Sequence, residues 1–140
     1  MEKGPLSDDL SILDDAELWR RIPPAQIITD HNHPAGPVRR PSTGAFDNSS
    51  DEEAMSVLLA AMVLGAGRTP QDTLVTFSGF GLVAFTAGLV RAHGQIVVRD
   101  PEPQEPADAV VIGHKSKTLK KTLARTSRWV VLPDDPAPTA

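Results

Sequence analysis

The sequence contains no cysteine, and this absence removes several kinds of chemistry at once. Without cysteine the chain has no disulfide bonds, no thiolate metal ligands and no cysteine nucleophile. No apolar run reaches the ~18 residues of a membrane-spanning helix. The acidic N-terminal segment lacks the apolar core of a signal peptide. These absences predict a cytoplasmic protein that does not cross a membrane.

Chain length and turn-forming residues predict the domain organisation. A chain of 140 residues suits one domain with its own core, and 13 prolines with 10 glycines indicate short elements joined by many turns. We predict a frayed segment over residues 1–12, a single globular domain over 13–132 and a tail over 133–140. The expected fold is α+β, with a short mixed or antiparallel sheet and two or three helices.

Charge is distributed unevenly along the chain, although the net charge is only -4. Residues 1–60 hold eleven acidic and five basic side chains, whereas residues 109–133 hold six basic side chains and no acidic one. An acidic, proline-rich loop runs over residues 100–106. The pattern indicates an acidic body with a single basic element near its C-terminus.

Capping residues and apolar spacing predict three helices. Asp14 is a candidate cap for a helix that ends at Pro23-Pro24. Ser50 and Glu53 form a capping-box pattern before an apolar run over residues 54–64, which predicts a buried helix. A strand over residues 56–63 is the alternative, because a continuous apolar run fits both. Ser116 is a candidate cap for a terminal helix that reaches about Trp129.

Strands are predicted over residues 26–29, 95–99 and 109–112, and residues 130–132 are expected to close the fold. The apolar run over residues 82–90 leaves helix and strand open. The run over residues 72–77 does so too, and a helix there would have Thr69 as its cap and Pro70 at its first position. The residues expected in the core are Leu58, Leu59, Val63, Phe85, Val97, Val111, Ile112, Leu119 and Leu123, with Phe46 anchoring the long polar loop before them.

The terminal helix carries a basic stripe. Lys117, Lys121, Arg125 and Arg128 recur at steps of three or four residues, and Lys120 flanks them. A basic stripe without acidic neighbours is suited to phosphate groups. The alternative is a solvated helix face whose charge complements the acidic body.

Further cations extend the predicted anion-binding set to Arg39, Arg40, Lys115, Lys117, Lys121, Arg125 and Arg128. Arg39 and Arg40 lie in a loop with hydroxyl side chains, where a guanidinium can bind phosphate or carboxylate. Lys115 lies in the turn between a strand and the terminal helix, a common position for anion recognition. The expected ligand is nucleic acid, a nucleotide or an acidic protein surface.

Two histidines suggest a different chemistry. If the strand before them continued, His31 and His33 would project from one face of it, as paired metal ligands often do. The string His31-Asn32-His33-Pro34-Ala35-Gly36 resembles the signature of JAMM-type metallohydrolases, including their RadC-like branch. That resemblance implies a zinc-dependent hydrolase with His31, His33 and Asp47 as ligands. The alternative is a polar surface turn with two exposed histidines.

A weaker resemblance involves Trp19-Arg20-Arg21 together with Arg39 to Phe46, which resemble the dinucleotide-binding segments of ADP-ribosyltransferase-like folds. The whole chain is also similar to a family of small bacterial proteins, and that similarity implies no activity. The sequence therefore favours a cytoplasmic accessory or binding protein for an anionic partner. No cofactor is expected for that function, and zinc is expected only for the hydrolase.

Overall fold

The computed structural model describes residues 7–48 and 53–133 of the chain. Over this range the strands are β1 (Glu17–Ile22), β2 (Ile27–Asp30), β3 (Val38–Pro41), β4 (Ala54–Leu59), β5 (Gly81–Thr86), β6 (Ile96–Arg99), β7 (Asp108–Ile112) and β8 (Arg128–Val131). The α-helices are α1 (Ala60–Gly65), α2 (Ala87–Ala92) and α3 (Lys117–Thr126), and 3-10 helices span Pro24–Gln26, Thr43–Phe46 and Pro70–Leu74.

Six of these strands form one antiparallel sheet in the order β6-β7-β4-β1-β5-β8, and β2 pairs with β3 in a separate antiparallel hairpin. The predicted α+β class, in a single small domain with a short sheet and three helices, is confirmed. No helix over the described residues has the length and apolar character needed to cross a bilayer.

The inner face of the sheet carries the larger hydrophobic core. Leu119 and Leu123 of α3 are fully buried there, together with Leu18 of β1. Phe46 is also fully buried, and its ring meets that of Phe85 edge-on at 6.2 Å between centroids. This aromatic pair fixes the Thr43–Phe46 turn against the sheet, as expected of the loop anchor.

The outer face carries a smaller core. Trp19, Leu58 and Leu82 from the middle of the sheet pack with Val63 of α1. Side chains alternate between the two faces along each strand, so Leu18 and Trp19 belong to different cores. The outer core lies over β4, β1 and β5, and it does not include side chains from β6.

The helix predicted after Asp14 is wrong, because residues 17–22 form β1 in the middle of the sheet. Leu18 and Ile22 are spaced for a helix face, but they also fit a strand if position 20 points inward with them. Arg20 does so. Its Nε donates to Ala45 O at 3.1 Å and its Nη1 donates to Ser56 O at 2.8 Å, which allows a guanidinium to lie there.

The apolar run over residues 54–64, predicted to be a single element, contains two. β4 ends at Leu59 and α1 begins at Ala60. The run from residue 82 behaves in the same way, because β5 ends at Thr86 and α2 follows. Both strands are covered on each face along part of their length, so apolar periodicity does not mark where the strand ends. The predicted cap Ser50 lies outside the described residues.

Several local predictions are confirmed. Thr69 caps the 3-10 helix at Pro70–Leu74 in a capping box with Asp72, and Ser116 caps α3. The terminal helix is shorter than expected, since α3 ends at Thr126 and Trp129 lies in β8. All nine expected core residues are buried except Ile112, which is half-buried on the outer face.

Part of the segment predicted to be frayed packs against the sheet. The backbone N–H of Asp9 donates to Val97 O at 2.8 Å, and the Asp8 carboxylate accepts the N–H of Val97 at 2.8 Å. Ile12 is buried in the inner core. These contacts cover the edge strand β6. Residues 1–6 of that segment and residues 134–140 of the predicted tail lie outside the described residues.

The inner core generates a stability prediction. Leu123→Ala should lower the free energy of unfolding by about 2–5 kcal/mol, because it removes a fully buried side chain and leaves a cavity. Leu132→Ala is the matched control, since Leu132 is 69% exposed. Its effect should stay within about 0.5 kcal/mol. Urea unfolding of both variants measures the difference, and equal losses would contradict the assignment of α3 to the core.

Candidate anion-binding cleft

The β2–β3 hairpin and the C-terminal end of α3 enclose a cleft of about 410 Å³. The hairpin contributes Arg39 and Arg40, and α3 contributes Arg125. Other lining residues are Asp30, Asn32, His33, Pro34, Val38, Pro41, Ala124, Ser127 and Trp129. The fold therefore brings the arginine loop and the end of the basic helix, two separately predicted segments, to the same place.

Arg40 is held in position by its own hairpin. Its Nε donates to Asp30 Oδ2 at 3.2 Å and its Nη1 donates to Pro41 O at 3.1 Å. The backbone N–H of Asn32, and then the Arg40 guanidinium, hold the pKa of Asp30 below its usual value. Asp30 therefore remains a carboxylate that orients Arg40, and the remaining N–H groups of the guanidinium can face a ligand.

Arg39 connects the hairpin to the last strand. Its Nη1 lies 3.4 Å from Pro133 O, and its own carbonyl accepts the indole N–H of Trp129 at 3.0 Å. The Trp129 ring lies against Gly81, where any side chain would collide with the ring. Glycine at position 81 therefore leaves the space that the Trp129 ring occupies. From there the indole N–H of Trp129 holds the hairpin that carries the two arginines.

Three cations of α3 extend outward from the cleft. Lys117, Lys121 and Arg125 are exposed at four-residue steps, and within the described ranges no acidic group pairs with them. The other two predicted cations of the stripe are paired. Lys120 Nζ lies 2.7 Å from Asp47 Oδ1, and Arg128, which belongs to β8, lies 2.9 Å from Glu17 Oε2.

Lys115 lies away from this surface. It is 5% exposed, and its ammonium donates to the carbonyl oxygens of Glu53, Val111 and Gly113 at 3.2, 3.0 and 2.7 Å. Burial lowers the pKa of Lys115 to about 8, with Glu53 opposing and Arg20 adding to the effect. Its contacts hold the turn before α3 together, so we leave Lys115 out of the ligand-binding set.

The residues predicted to bind zinc are not gathered into a site. β2 ends at Asp30, so His31 and His33 lie in an exposed turn and not on a strand face. His33 Nδ1 accepts the N–H of Ala35 at 3.1 Å, and Asp47 pairs with Lys120. No group of three His, Asp or Glu side chains suited to a metal occurs in the described ranges. The zinc hydrolase remains a prediction without support from these residues.

Trp129 and Asp30 belong to the cleft, although the sequence patterns do not predict this. The pattern of the basic segment predicts Trp129 at the end of a helix, where its indole would not face the hairpin. Asp30 directly precedes His31 in the sequence, and its partner in the structure is Arg40. A detectable signal was the pairing of two strand-like runs around a turn rich in proline and glycine, which predicts a hairpin and places Asp30 near Arg40.

Comparisons of the chain with protein-family models, with curated proteins and with solved structures found no match. The cleft and its charged lining are therefore interpreted from their own geometry.

The buried Lys115 predicts how stability depends on pH. Its pKa is lowered from 10.5 to about 8 on folding, so between these values the folded state binds fewer protons than the unfolded state. The free energy of unfolding should therefore rise with pH across this window, by on the order of 3 kcal/mol. Cysteine and tyrosine, which often titrate there, are absent.

Lys115→Met tests whether the deprotonation of Lys115 causes this rise in the free energy of unfolding. The variant should be less stable than wild type at every pH, because three carbonyl groups lose a donor, and it should lack the rise above pH ~8. Lys121→Met controls for the loss of an exposed ammonium and should keep that rise. Chemical unfolding at several pH values measures all three proteins. A Lys115→Met variant with the full wild-type rise would contradict the assignment.

Proposed function

We propose that this protein is an accessory protein of the cytoplasm that binds a phosphate-bearing partner, a nucleic acid or a nucleotide. The binding surface is the cleft together with the exposed face of α3. One observation carries the proposal: Arg39, Arg40 and Arg125, from segments far apart in the sequence, line a single cleft. The arginines lie close together because hydrogen bonds hold the β2–β3 hairpin beside the end of α3, and not because they are neighbours in the sequence.

The lining of the cleft suits a phosphate group. The described residues that line it include three arginines and one carboxylate, that of Asp30, so basic side chains outnumber acidic ones in this part of the lining. Guanidinium groups offer paired N–H donors that match the oxygens of phosphate. The volume of about 410 Å³ falls in the range of small-molecule sites and admits a phosphate with part of its sugar or base.

The exposed face of α3 suits a partner with more than one phosphate. A step of four residues advances about 6 Å along an α-helix. Lys117, Lys121 and Arg125 therefore form a line of charge that ends in the cleft, one turn apart. A nucleic acid strand could place one phosphate in the cleft and others along the helix. Phosphate contacts carry no sequence information, so we expect binding with little dependence on base sequence.

The two arginines near the end of the basic segment provide a matched test. Arg125→Gln should weaken binding to an oligonucleotide about tenfold, because it removes a cation that lines the cleft. Arg128→Gln removes the same charge three residues away, from a side chain that pairs with Glu17 outside the cleft. It should leave the affinity within about twofold. Fluorescence anisotropy with a labelled single strand at low salt measures both.

The salt dependence gives a second readout. Replacement of Lys117, Lys121 and Arg125 together by Gln should reduce the log–log salt slope by about two units for a single strand. ATP competition tests whether one nucleotide fills the cleft, and polyglutamate tests for an acidic protein surface. Equal losses in Arg125→Gln and Arg128→Gln would contradict the proposal. So would preference for polyglutamate, or no binding of wild type to either phosphate probe.

A further inference from the structure

The described residues cover the outer face of the sheet over only part of its width. Beyond the small outer core, Ile96 and Val98 of β6 and Val110 and Ile112 of β7 point outward and are half-buried. These four aliphatic side chains, here called the aliphatic patch, belong to neither core formed by the described residues. Each of the four is partly exposed, so they place contiguous apolar surface against solvent, a feature that can mark an interaction site.

Strand register makes the patch continuous. Ile96 is paired with Ile112, and Val98 with Val110, so the four side chains form two adjacent cross-strand pairs. On the other side of β7, Ile112 is paired with Ala54 and Val110 with Ser56. The cross-strand neighbours of the patch on β4 therefore have short side chains, and Ser56 is exposed.

An unpaired carboxylate lies at one end of the patch. Asp108 precedes Val110 by two residues, so it points to the same outer face. It also lines a cleft of about 240 Å³ with Phe77 and Phe80. Its carboxylate is half-buried, and among the described residues it accepts no hydrogen bond and forms no ion pair. The adjacent Glu105, by contrast, binds Arg68 through both oxygens at 2.6 and 2.7 Å.

The charge around Asp108 favours a cation. Residues 100–108 contain Asp100, Glu102, Glu105 and Asp108 and no basic residue. The nearby Arg21 attracts the carboxylate of Asp108 without forming an ion pair with it, because its Nε donates to Thr73 O at 2.9 Å and its guanidinium lies over the Phe77 ring at 4.3 Å. Burial and then the neighbouring Glu105 raise the pKa of Asp108, and the attraction of Arg21 opposes them. An incoming ammonium or guanidinium would give this carboxylate the direct partner that the described residues do not provide.

We propose that the aliphatic patch and Asp108 together dock an amphipathic helix of a partner protein, with its apolar side chains on the patch and a lysine or arginine on Asp108. Charge complementarity selects this occupant: an acidic loop borders the patch, so a basic amphipathic segment fits and an acidic one is repelled. The surface is independent of the cleft, because α3 packs on the opposite face of the sheet. The protein would thus join a phosphate-bearing partner to a protein partner.

Two synthetic peptides test the proposal. The first is a labelled helical peptide of about 18 residues, with leucines on one face and lysines on the other. The second carries glutamate in place of every lysine. The lysine peptide should bind wild type with a micromolar dissociation constant, and the glutamate peptide should bind at least about tenfold more weakly. Fluorescence anisotropy near physiological salt reduces attraction that is due to net charge alone.

Matched variants locate the binding. Asp108→Asn should weaken the lysine peptide about fivefold or more, whereas Asp15→Asn, at an exposed aspartate without a described partner, should have little effect. Val110→Gln should weaken it about tenfold, while Leu132→Gln, at the far edge of the sheet, should not. Melting temperatures accompany each measurement. If Val110→Gln does not fold, the comparison of the near-isosteric Asp108→Asn with its control Asp15→Asn still tests whether the peptide binds at this surface.

Three outcomes would overturn the proposal. Equal affinity for the lysine and glutamate peptides would show nonspecific apolar binding that does not depend on the charge of the peptide. Equal losses in Asp108→Asn and Asp15→Asn would show attraction to the whole acidic surface. A wild-type dimer that Val110→Gln converts to monomer in sedimentation would assign the patch to a second copy of this chain. Retention of oligonucleotide binding in Asp108→Asn distinguishes failure here from failure of the phosphate-binding proposal.

Discussion

The arrangement of the inner layer depends on one half-buried guanidinium. Arg20 lies on β1 in the middle of the sheet, and its two hydrogen bonds connect the Thr43–Phe46 turn to β4. Burial lowers the pKa of Arg20 to about 10, so the group remains charged at neutral pH. A half-buried charge that lost its carbonyl partners would raise the free energy of the fold, so the hydrogen bond to Ala45 O favours the observed position of the turn on the sheet.

The cleft inherits its geometry from that turn. The Thr43–Phe46 turn follows β3 directly, and it packs on α3 through Phe46 and the Lys120–Asp47 ion pair. The turn therefore sets the distance between the hairpin and the helix. Trp129 then fastens the other side of the hairpin through the carbonyl of Arg39. Two independent attachments hold the arginines in place before a ligand arrives, which lowers the ordering cost of binding.

Features that depend on neighbouring residues were predicted from the sequence, whereas features that depend on residues far apart along the chain were not. Caps at Thr69 and Ser116 and the amphipathic α3 are local patterns, and the structure confirms them. The class of the fold was predicted, but β1 was not, because the inward position of Arg20 depends on acceptors far away in sequence. The split of the apolar runs into β4 with α1, and β5 with α2, likewise depends on which faces are covered by other elements.

The basic stripe also shows that charge in the sequence does not reveal which cations contribute to the cleft. Charge alone grouped Lys115 with the surface cations, whereas burial and three carbonyl contacts separate it from them. Charge alone also did not distinguish Arg125 from Arg128, which the helix end at Thr126 places on different elements. The cleft itself required the hairpin and Trp129, and neither follows from the composition of the basic segment.

The alternative explanation of the basic stripe, an internal match to the acidic body, accounts for part of it. Lys120 with Asp47 and Arg128 with Glu17 are such matches. Elsewhere acidic side chains of the N-terminal segment pair with Arg91 and Arg99, and Glu105 pairs with Arg68, so much of the acidic body is neutralised without help from α3. Lys117, Lys121 and Arg125 have no acidic partner among the described residues. Their positive charge is exposed at the surface and can attract an anion. It lies beside a cleft in which hydrogen bonds already position Arg39 and Arg40.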